Sequence, residues 1–383
     1  MQVSQYVISG NTLESKKANA TLKQADAQLV LLMAERTCLE DQKPYVFVQK
    51  EFPNAKIVTI STAGQIAGVQ LFTNQVVVTA IRFTSPQTKM HTVQVSCAKG
   101  EAQAAKEIHQ ALPQEGLKAI CLFSDGALVN GTELIDALSD LLPTKALPIF
   151  GGLAGDGALF EKTLVGIGAD VSPGQIVAIG LYGDALQLNF GTQGGWSDFG
   201  PEREITHAEK NVLYKIGDRP ALDLYKEYLG KHASQLPSSA LFFPLSMRSV
   251  DSNEERPVVR TILSINEENK SMTFAGSMIE GSKVRLSMSS AEDLIDAATD
   301  AAKQANPSGT DQTELALLVT CVGRKLVLGE RTEEELEAVQ NVFGPNTALA
   351  GFYSYGEISP NLKGVHNCDL HNQTMTIATI SER

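Results

Sequence analysis

With 383 residues, 43% of them apolar and 20% charged, the chain is long enough for two domains and can bury a core that needs no disulfide. Its 32 basic and 44 acidic residues leave a net charge of -12, which repels phosphate backbones and argues against nucleic acid as a partner. No apolar run approaches the roughly 20 residues of a bilayer-spanning helix, and Met1 to Ser15 carries no apolar signal core. Cys38, Cys97, Cys121, Cys321 and Cys368 are odd in number and widely spaced, so they read as free thiols. Together these features predict a cytoplasmic protein with no membrane partner.

In chain order, the first expected strand is Ala27 to Met33, a short apolar run. Leu39 to Phe52 has helix-like charge spacing. Ala55 to Ser61 is a strand rich in β-branched residues, and Gln75 to Ile81 closes the unit. A second copy follows. Lys118 to Phe123 is its strand, and Thr132 is placed to cap a helix through Leu134, Ile135, Leu138 and Leu141, with Pro143 beyond its end. Ala146 to Phe150 is the next strand, and Gln175 to Gly180 closes that copy. The segment Ala158 to Thr163 reads as extended.

A more diverged stretch comes next, with a helix over Ala221 to Gly230 and strands near Ala240 to Pro244 and Val258 to Ile265. The third copy runs from a strand at Leu315 to Thr320 to a helix capped by Thr332. Its strand at Thr347 to Gly351 and a closing strand at Thr374 to Ile380 complete it. The first two strands of a copy lie about 30 residues apart, which fits a strand-helix-strand crossover. The expected fold class is α/β: two related α/β halves built from repeated strand-helix-strand units, with mixed sheets. The expected divisions are a lead-in over 1–26, a first domain over 27–220 and a second over 221–383.

Ligands of open α/β sheets bind outside the carboxyl ends of the strands. Here those ends are small and polar: Ser61, Thr62, Asp125, Gly152, Asp156, Cys321, Arg324, Tyr353, Ser354, Tyr355 and Glu357 are the candidate ligand-binding residues. Arg324 is placed to pair a carboxylate, Asp156 or Glu357 an ammonium group. The loops Gly151 to Asp156 and Tyr353 to Glu357 follow equivalent strands and are expected to face one pocket. The glycines at Gly151 to Gly157 are not a dinucleotide fingerprint, because they follow a later strand and precede no helix. No phosphate-binding loop or nucleophile elbow is present. His366, Cys368 and His371 are candidate metal or haem ligands within six positions, although no second ligand cluster accompanies them. Cys321 beside a histidine is the candidate nucleophile of a Cys-dependent enzyme.

Several motifs resemble one known family. The run Phe150 to Gly157 and the run Gly217 to Tyr225 are similar to the N-terminal FIST domain. Glu280 to Arg285, Cys321 to Arg324 and Phe352 to Ile358 are similar to the C-terminal FIST domain, and Cys368 to Thr376 resembles the ending of bacterial members. The resemblance covers the chain from about residue 25. It implies a sensory protein that is not an enzyme and that binds a small molecule, with an amino acid as one such ligand. It also implies signalling to a separate partner such as a histidine kinase or a cyclic-di-GMP enzyme, since no output region is read in the chain. One branch of the family implies a different ligand, nitric oxide, sensed through haem or an iron–sulfur cluster.

Overall fold

The computed structural model describes residues 1–18, 22–142, 144, 147–248, 257–309, 313–360 and 368–383. Its main body is one α/β unit used three times. In the first unit, strand β1 (Gln2–Ser9) forms a hairpin with β2 (Thr12–Ala18). Strand β3 (Leu29–Ala34) leads through helices α1 (Arg36–Leu39) and α2 (Lys43–Glu51) to β4 (Lys56–Ser61), parallel to it. A hairpin of β5 (Gln65–Ala67) and β6 (Gln70–Phe72) follows, then β7 (Val76–Arg82). The order is β4-β3-β7-β1-β2. Every residue of β3 is buried, as a strand covered on both faces requires, and this is why it appears in the sequence as an unbroken apolar run.

The second unit repeats the plan: β8 (Lys89–Ser96), α3 (Glu101–Ala111), β9 (Leu117–Ser124), α4 (Gly131–Leu141) and β10 (Ile149–Leu153). The hairpin β11 (Val165–Ile167) and β12 (Asp170–Ser172) precedes β13 (Gln175–Tyr182), and the order is β10-β9-β13-β8. The third unit opens with β14 (Leu186–Gln193), after which a separate β unit is inserted.

The insertion holds β15 (Ser197–Glu209), β16 (Val212–Ile216), β17 (Arg219–Pro220), α5 (Ala221–Leu229), β18 (Leu245–Arg248), β19 (Val258–Arg260), β20 (Ile262–Asn266), β21 (Ser271–Phe274) and β22 (Lys283–Met288). Its strand order begins at β19 and ends at β20. Those two edge strands are separated in the chain by Thr261 alone, so the sheet curls until its edges meet around α5. The boundary expected at 220 falls inside this insertion, between β17 and α5.

The third unit then resumes with α6 (Ala291–Ala305), β23 (Leu315–Cys321), α7 (Val322–Leu328), α8 (Thr332–Phe343) and β24 (Ala348–Ser354). The hairpin β25 (Gly356–Ser359) and β26 (Asp369–His371) and the closing strand β27 (Met375–Glu382) complete it, in the order β24-β23-β27-β14. Helix α6 starts with a reciprocal cap between Ser290 and Asp293, which satisfies two otherwise orphan amides.

Each hairpin leaves its own sheet. β5 pairs with β24 of unit three, β25 with β10 of unit two, and β11 with β4 of unit one. The exchange is cyclic and ties the three sheets into a ring about a pseudo-threefold axis. One face of each sheet turns inward, so that Met33, Phe123 and Val319, at matching places on β3, β9 and β23, share one central core. The outer faces lie under α2 in unit one, α3 and α4 in unit two, and α6 and α8 in unit three.

The α/β class and mixed sheets stand as read from the sequence, while some local expectations change. Asn130, not Thr132, caps α4, because its side chain accepts from the amides of Thr132 and Glu133. Thr332 lies inside α8, with its hydroxyl on Gly329 O. Residues 240–242 are 3-10 helix rather than strand, and the strand begins at Leu245. Residues 158–163 hold no strand, with Ala158 in a turn and Glu161 at a bend, where the Asp156 carboxylate gathers three of their amides. Cys321 to Arg324 is not a loop, since β23 passes directly into α7. Among the described residues, no helix is long and apolar enough to cross a membrane.

Candidate functional site

The strands β4, β10 and β24 end together at one end of the axis. Just past their ends the backbone closes a ring of three hydrogen bonds between units. Ala63 N donates to Tyr353 O (2.8 Å), Gly155 N to Ser61 O (2.9 Å) and Tyr355 N to Leu153 O (3.2 Å). Each bond joins the same two positions of successive units, so the ring follows directly from the repeat. It brings the loops Gly151 to Asp156 and Tyr353 to Glu357 into contact, with β10 and β25 paired side by side. The two loops are therefore together, as the sequence suggests, but they fill the space between them.

Asp156 is the anchor of the ring's outer side. Its carboxylate accepts from the amides of Phe160 (2.9 Å), Glu161 (3.2 Å) and Lys162 (3.0 Å) and from the Tyr355 hydroxyl. The Tyr355 oxygen in turn accepts from Phe160 N at 3.0 Å, and the Phe160 ring stacks on the Tyr355 ring with centroids 4.3 Å apart. Burial, and after it the Asp156 carboxylate, push the Tyr355 hydroxyl up from its ordinary range, so it serves as a donor and not as a base. Phe160 sits at φ +56, a conformation that costs a bulky residue energy and persists only because these contacts fix it.

Two cations stand beside this anchor, each from a different unit. Arg36, the first residue of α1, places Nη1 3.7 Å from Asp156 Oδ2 and Nη2 3.3 Å from Glu161 Oε2. Its Nε is buried without a hydrogen bond and lies 4.0 Å from Glu40 Oε1. Lys325, on α7, donates from Nζ to Ala63 O at 2.7 Å and is half-buried. Among the described residues it has no carboxylate within 4 Å. Burial lowers the Lys325 ammonium, and the Glu35 carboxylate acts against that. Gly64 makes room for it: at φ +145, a Cβ there would lie 3.2 Å from Nζ and 2.8 Å from Leu71 Cδ1.

The other sequence candidates are spent on the fold. Arg324 is fully buried and gives its donors to Gly194 O (2.6 Å), Leu294 O (2.8 Å) and Glu335 (2.8 Å). The ligand carboxylate expected opposite it is thus replaced by protein groups. The Tyr353 hydroxyl donates to Glu335 Oε1 at 2.6 Å. Glu357 accepts from Ser354 Oγ (2.7 Å) and from the amide and hydroxyl of Thr374 (both 3.0 Å). Burial raises its carboxyl to about 8 despite those bonds. Asp125 accepts from the amides of Ala127, Leu128 and Gly174. Ser61 Oγ accepts from Leu164 N, and Thr62 Oγ1 from Gly64 N. Gly152 lies against Val319, whose Cγ1 would be 2.5 Å from an added Cβ.

Arg36, Lys325, Glu35 and Glu161 were not among the sequence candidates. Glu35 and Arg36 follow β3 directly, where the rule of strand ends would have found them. Lys325 is the neighbour of Arg324, and a helix register was needed to tell which of the two faces the ring.

This is a three-unit α/β body with a charged ring of strand ends and a β unit inserted in its third repeat. Family models match it over nearly its whole length, the FIST N domain over residues 28–219 and the FIST C domain over residues 221–360. The chain belongs to the FIST family, whose domains are sensory domains of signal transduction proteins. It is also 24% identical over 275 residues to an uncharacterized protein of Methanocaldococcus jannaschii, a stretch covering 64% of this chain and 51% of that one. The chain therefore spans about half the length of this curated relative.

Among the described residues, the candidate thiols do not fit an iron–sulfur cluster. Burial pushes the thiols of Cys321 and Cys368 far up, and Cys368 Sγ donates to Ile149 O at 3.1 Å. Burial, and then the Arg260 guanidinium, push His371 down to about 4, which leaves its imidazole neutral, the form that ligates a metal. Among the described residues no three His, Cys, Asp or Glu side chains stand close enough to hold a metal ion. His366 lies outside the described residues.

Proposed function

We propose that the chain is a ligand-binding sensor whose site is the charged end of the pseudo-threefold axis, and that it takes a small carboxylate-bearing molecule such as an amino acid. The observation that carries this is Lys325, a half-buried ammonium with one carbonyl partner and no carboxylate within 4 Å among the described residues. A cation withdrawn from water needs a counter-charge, and an incoming carboxylate supplies it. Arg36 reaches the same rim from another unit, where Asp156, Glu161 and Glu40 lie within 4.0 Å of its guanidinium. Glu35 carries the opposite charge for an ammonium group. Asp156 and Tyr355, whose bonds are already made, hold the cap residues 157–162 in place above the ring.

A ligand bridging Arg36 and Lys325 ties unit one to unit three. Since α7 also carries Arg324, which grips both ends of the inserted β unit, binding has a short route to a surface that a separate signalling protein, such as a histidine kinase or a cyclic-di-GMP enzyme, would read. The Cys-dependent enzyme has little support: Cys321 is buried, and its thiol is held far from the thiolate form, first by burial and then by the Glu357 carboxylate.

The test is a thermal-shift and calorimetric screen of amino acids with their decarboxylated and deaminated analogues. At least one amino acid should raise Tm, its amine analogue should not, and Lys325→Ala and Arg36→Ala should each weaken binding about tenfold or more. Stabilisation that survives both substitutions, or a screen in which no carboxylate binds, overturns this site.

A further inference from the structure

The hairpin that crosses from unit three to unit two carries a carboxyl group that the repeat itself does not call for. Glu357 pairs with Gly152 of β10, as Gln65 pairs with Phe352 of β24 and Val165 with Ile60 of β4. These are the same point of the three exchanged hairpins, and all three side chains are fully buried. Unit one fills the place with a neutral amide of nearly the same shape, and unit two with an aliphatic group. A charge here is peculiar to unit three.

The direct partners of Glu357 are polar but neutral. Its Oε1 accepts from the Ser354 hydroxyl at 2.7 Å, and its Oε2 from the amide and the hydroxyl of Thr374, both at 3.0 Å. Cys321 and Arg324 stand near it at the junction of β23 and α7. From β26 come His371, opposite Glu357 in the register, and Asp369, opposite Ser359. Arg324 is spent on Glu335 at 2.8 Å, and among the described residues no cation lies within 4 Å of Glu357. His371, pushed down to about 4, is neutral above that pH. An ionised carboxylate buried without a counter-charge is costly, and such a group takes up a proton instead. The site holds either form. Oε2 already takes two donors, one of them a fixed amide, so the proton goes to Oε1. A hydroxyl both donates and accepts, so Ser354 turns to accept that proton with no change in the backbone. Burial accordingly raises the carboxyl to about 8.

We propose that Glu357 is a proton-binding site through which the chain reads pH, and that its charge is passed to the hinge of the inserted β unit. The carrier is a single peptide group. Its N–H, on Thr374, donates to Glu357, and its C=O, on Gln373, accepts from Trp196 Nε1 at 2.7 Å. Trp196 lies between β14 and β15, where the chain enters the insertion. Gln373 Nε2 also reaches Leu241 O inside the insertion at 3.3 Å. A negative acceptor on the N–H polarises the peptide group and strengthens its bond to the indole, and a protonated one weakens it. The site makes no use of Lys325 or Arg36, so it stands or falls apart from the ring.

Trp196 is the chain's one tryptophan, so its emission is the readout. Between about pH 6 and 9 the emission of the full chain should follow one reversible titration centred near 8, while far-UV circular dichroism stays constant. Glu357→Gln, which copies the amide of unit one, should fold and lose the titration. Ser354→Ala removes a donor to the ionised form, so it should move the midpoint upward. The folded carboxyl titrates above its ordinary value, so wild-type stability should fall as pH rises from about 5 to 8 and level off beyond. Glu357→Gln should remove that decline. Should Glu357→Gln fail to fold, the Ser354→Ala midpoint decides alone. Flat emission from the folded wild type, a titration that persists in folded Glu357→Gln, or a midpoint unmoved in Ser354→Ala each overturns the proposal.

Discussion

Arg324 and Lys325 are adjacent in sequence and opposite in role. Arg324 points into the protein and bonds Gly194 O and Leu294 O, the carbonyls on either side of the inserted unit, as well as Glu335. Both ionic side chains are fully buried. Removing one partner of such a pair leaves an uncompensated charge in low dielectric, so Arg324→Ala should cost about 3–5 kcal/mol. Arg324→Met combined with Glu335→Leu removes both charges and should recover part of that loss. Urea unfolding monitored by circular dichroism reads both values; a single-variant loss under about 1 kcal/mol would show that the pair does not hold the insertion. Lys325→Ala, at the half-buried ring, should change stability much less than Arg324→Ala, which separates the structural cation from the proposed binding one.

The matched units share backbone features at the level of the strand. Gly151 on β10 and Gly351 on β24 occupy equivalent places, at φ +135 and +159. A Cβ at Gly151 would fall 2.0 Å from Leu122 O, and one at Gly351 would fall 1.8 Å from Leu318 O. The neighbouring strand's backbone is the obstacle, and it cannot yield as a flexible side chain does. Gly151→Ala and Gly351→Ala are each expected to destabilise by more than about 1 kcal/mol. Gly157→Ala has φ +77 but nothing within 4 Å of the new methyl, so it should cost less. Chemical denaturation of the three variants orders them, and a Gly157 variant weaker than both strand variants would contradict this account. Thr59, the third equivalent, carries a side chain, so unit one tolerates a Cβ where units two and three do not.

Across the whole molecule, the hairpin exchange makes the two family domains interdependent. Residues 1–219 contain β10 but not its partner β25, and β14 without β27. Residues 220–383 contain β24 without β5, and β22 without β15. Either piece alone exposes strand edges with unpaired amides and carbonyls. Each fragment expressed by itself should therefore lack a cooperative unfolding transition, while the two co-expressed should form a 1:1 complex that unfolds cooperatively. Size-exclusion chromatography with near-UV circular dichroism distinguishes these outcomes. Two fragments that fold independently would mean that the exchanged hairpins contribute little.

The sequence by itself determined the strands buried on both faces and the crossovers between them. β3, β9 and β23 are continuous apolar runs because sheet and helix cover both sides of each, and that burial is local in origin. It also disclosed the repeat and pointed to the strand ends, where Asp156 and Tyr355 do meet. The short hairpins were hidden, because Gln65 to Ala67 or Gly356 to Ser359 carries too few residues for a period. Their partners lie in another unit, and pairing across about 200 residues or more leaves no local pattern. Only the tertiary structure decided which charged side chains face the ring. Arg324 and Lys325 differ by one helical position, about 100° of rotation, and that angle places one guanidinium in the core and one ammonium at the rim.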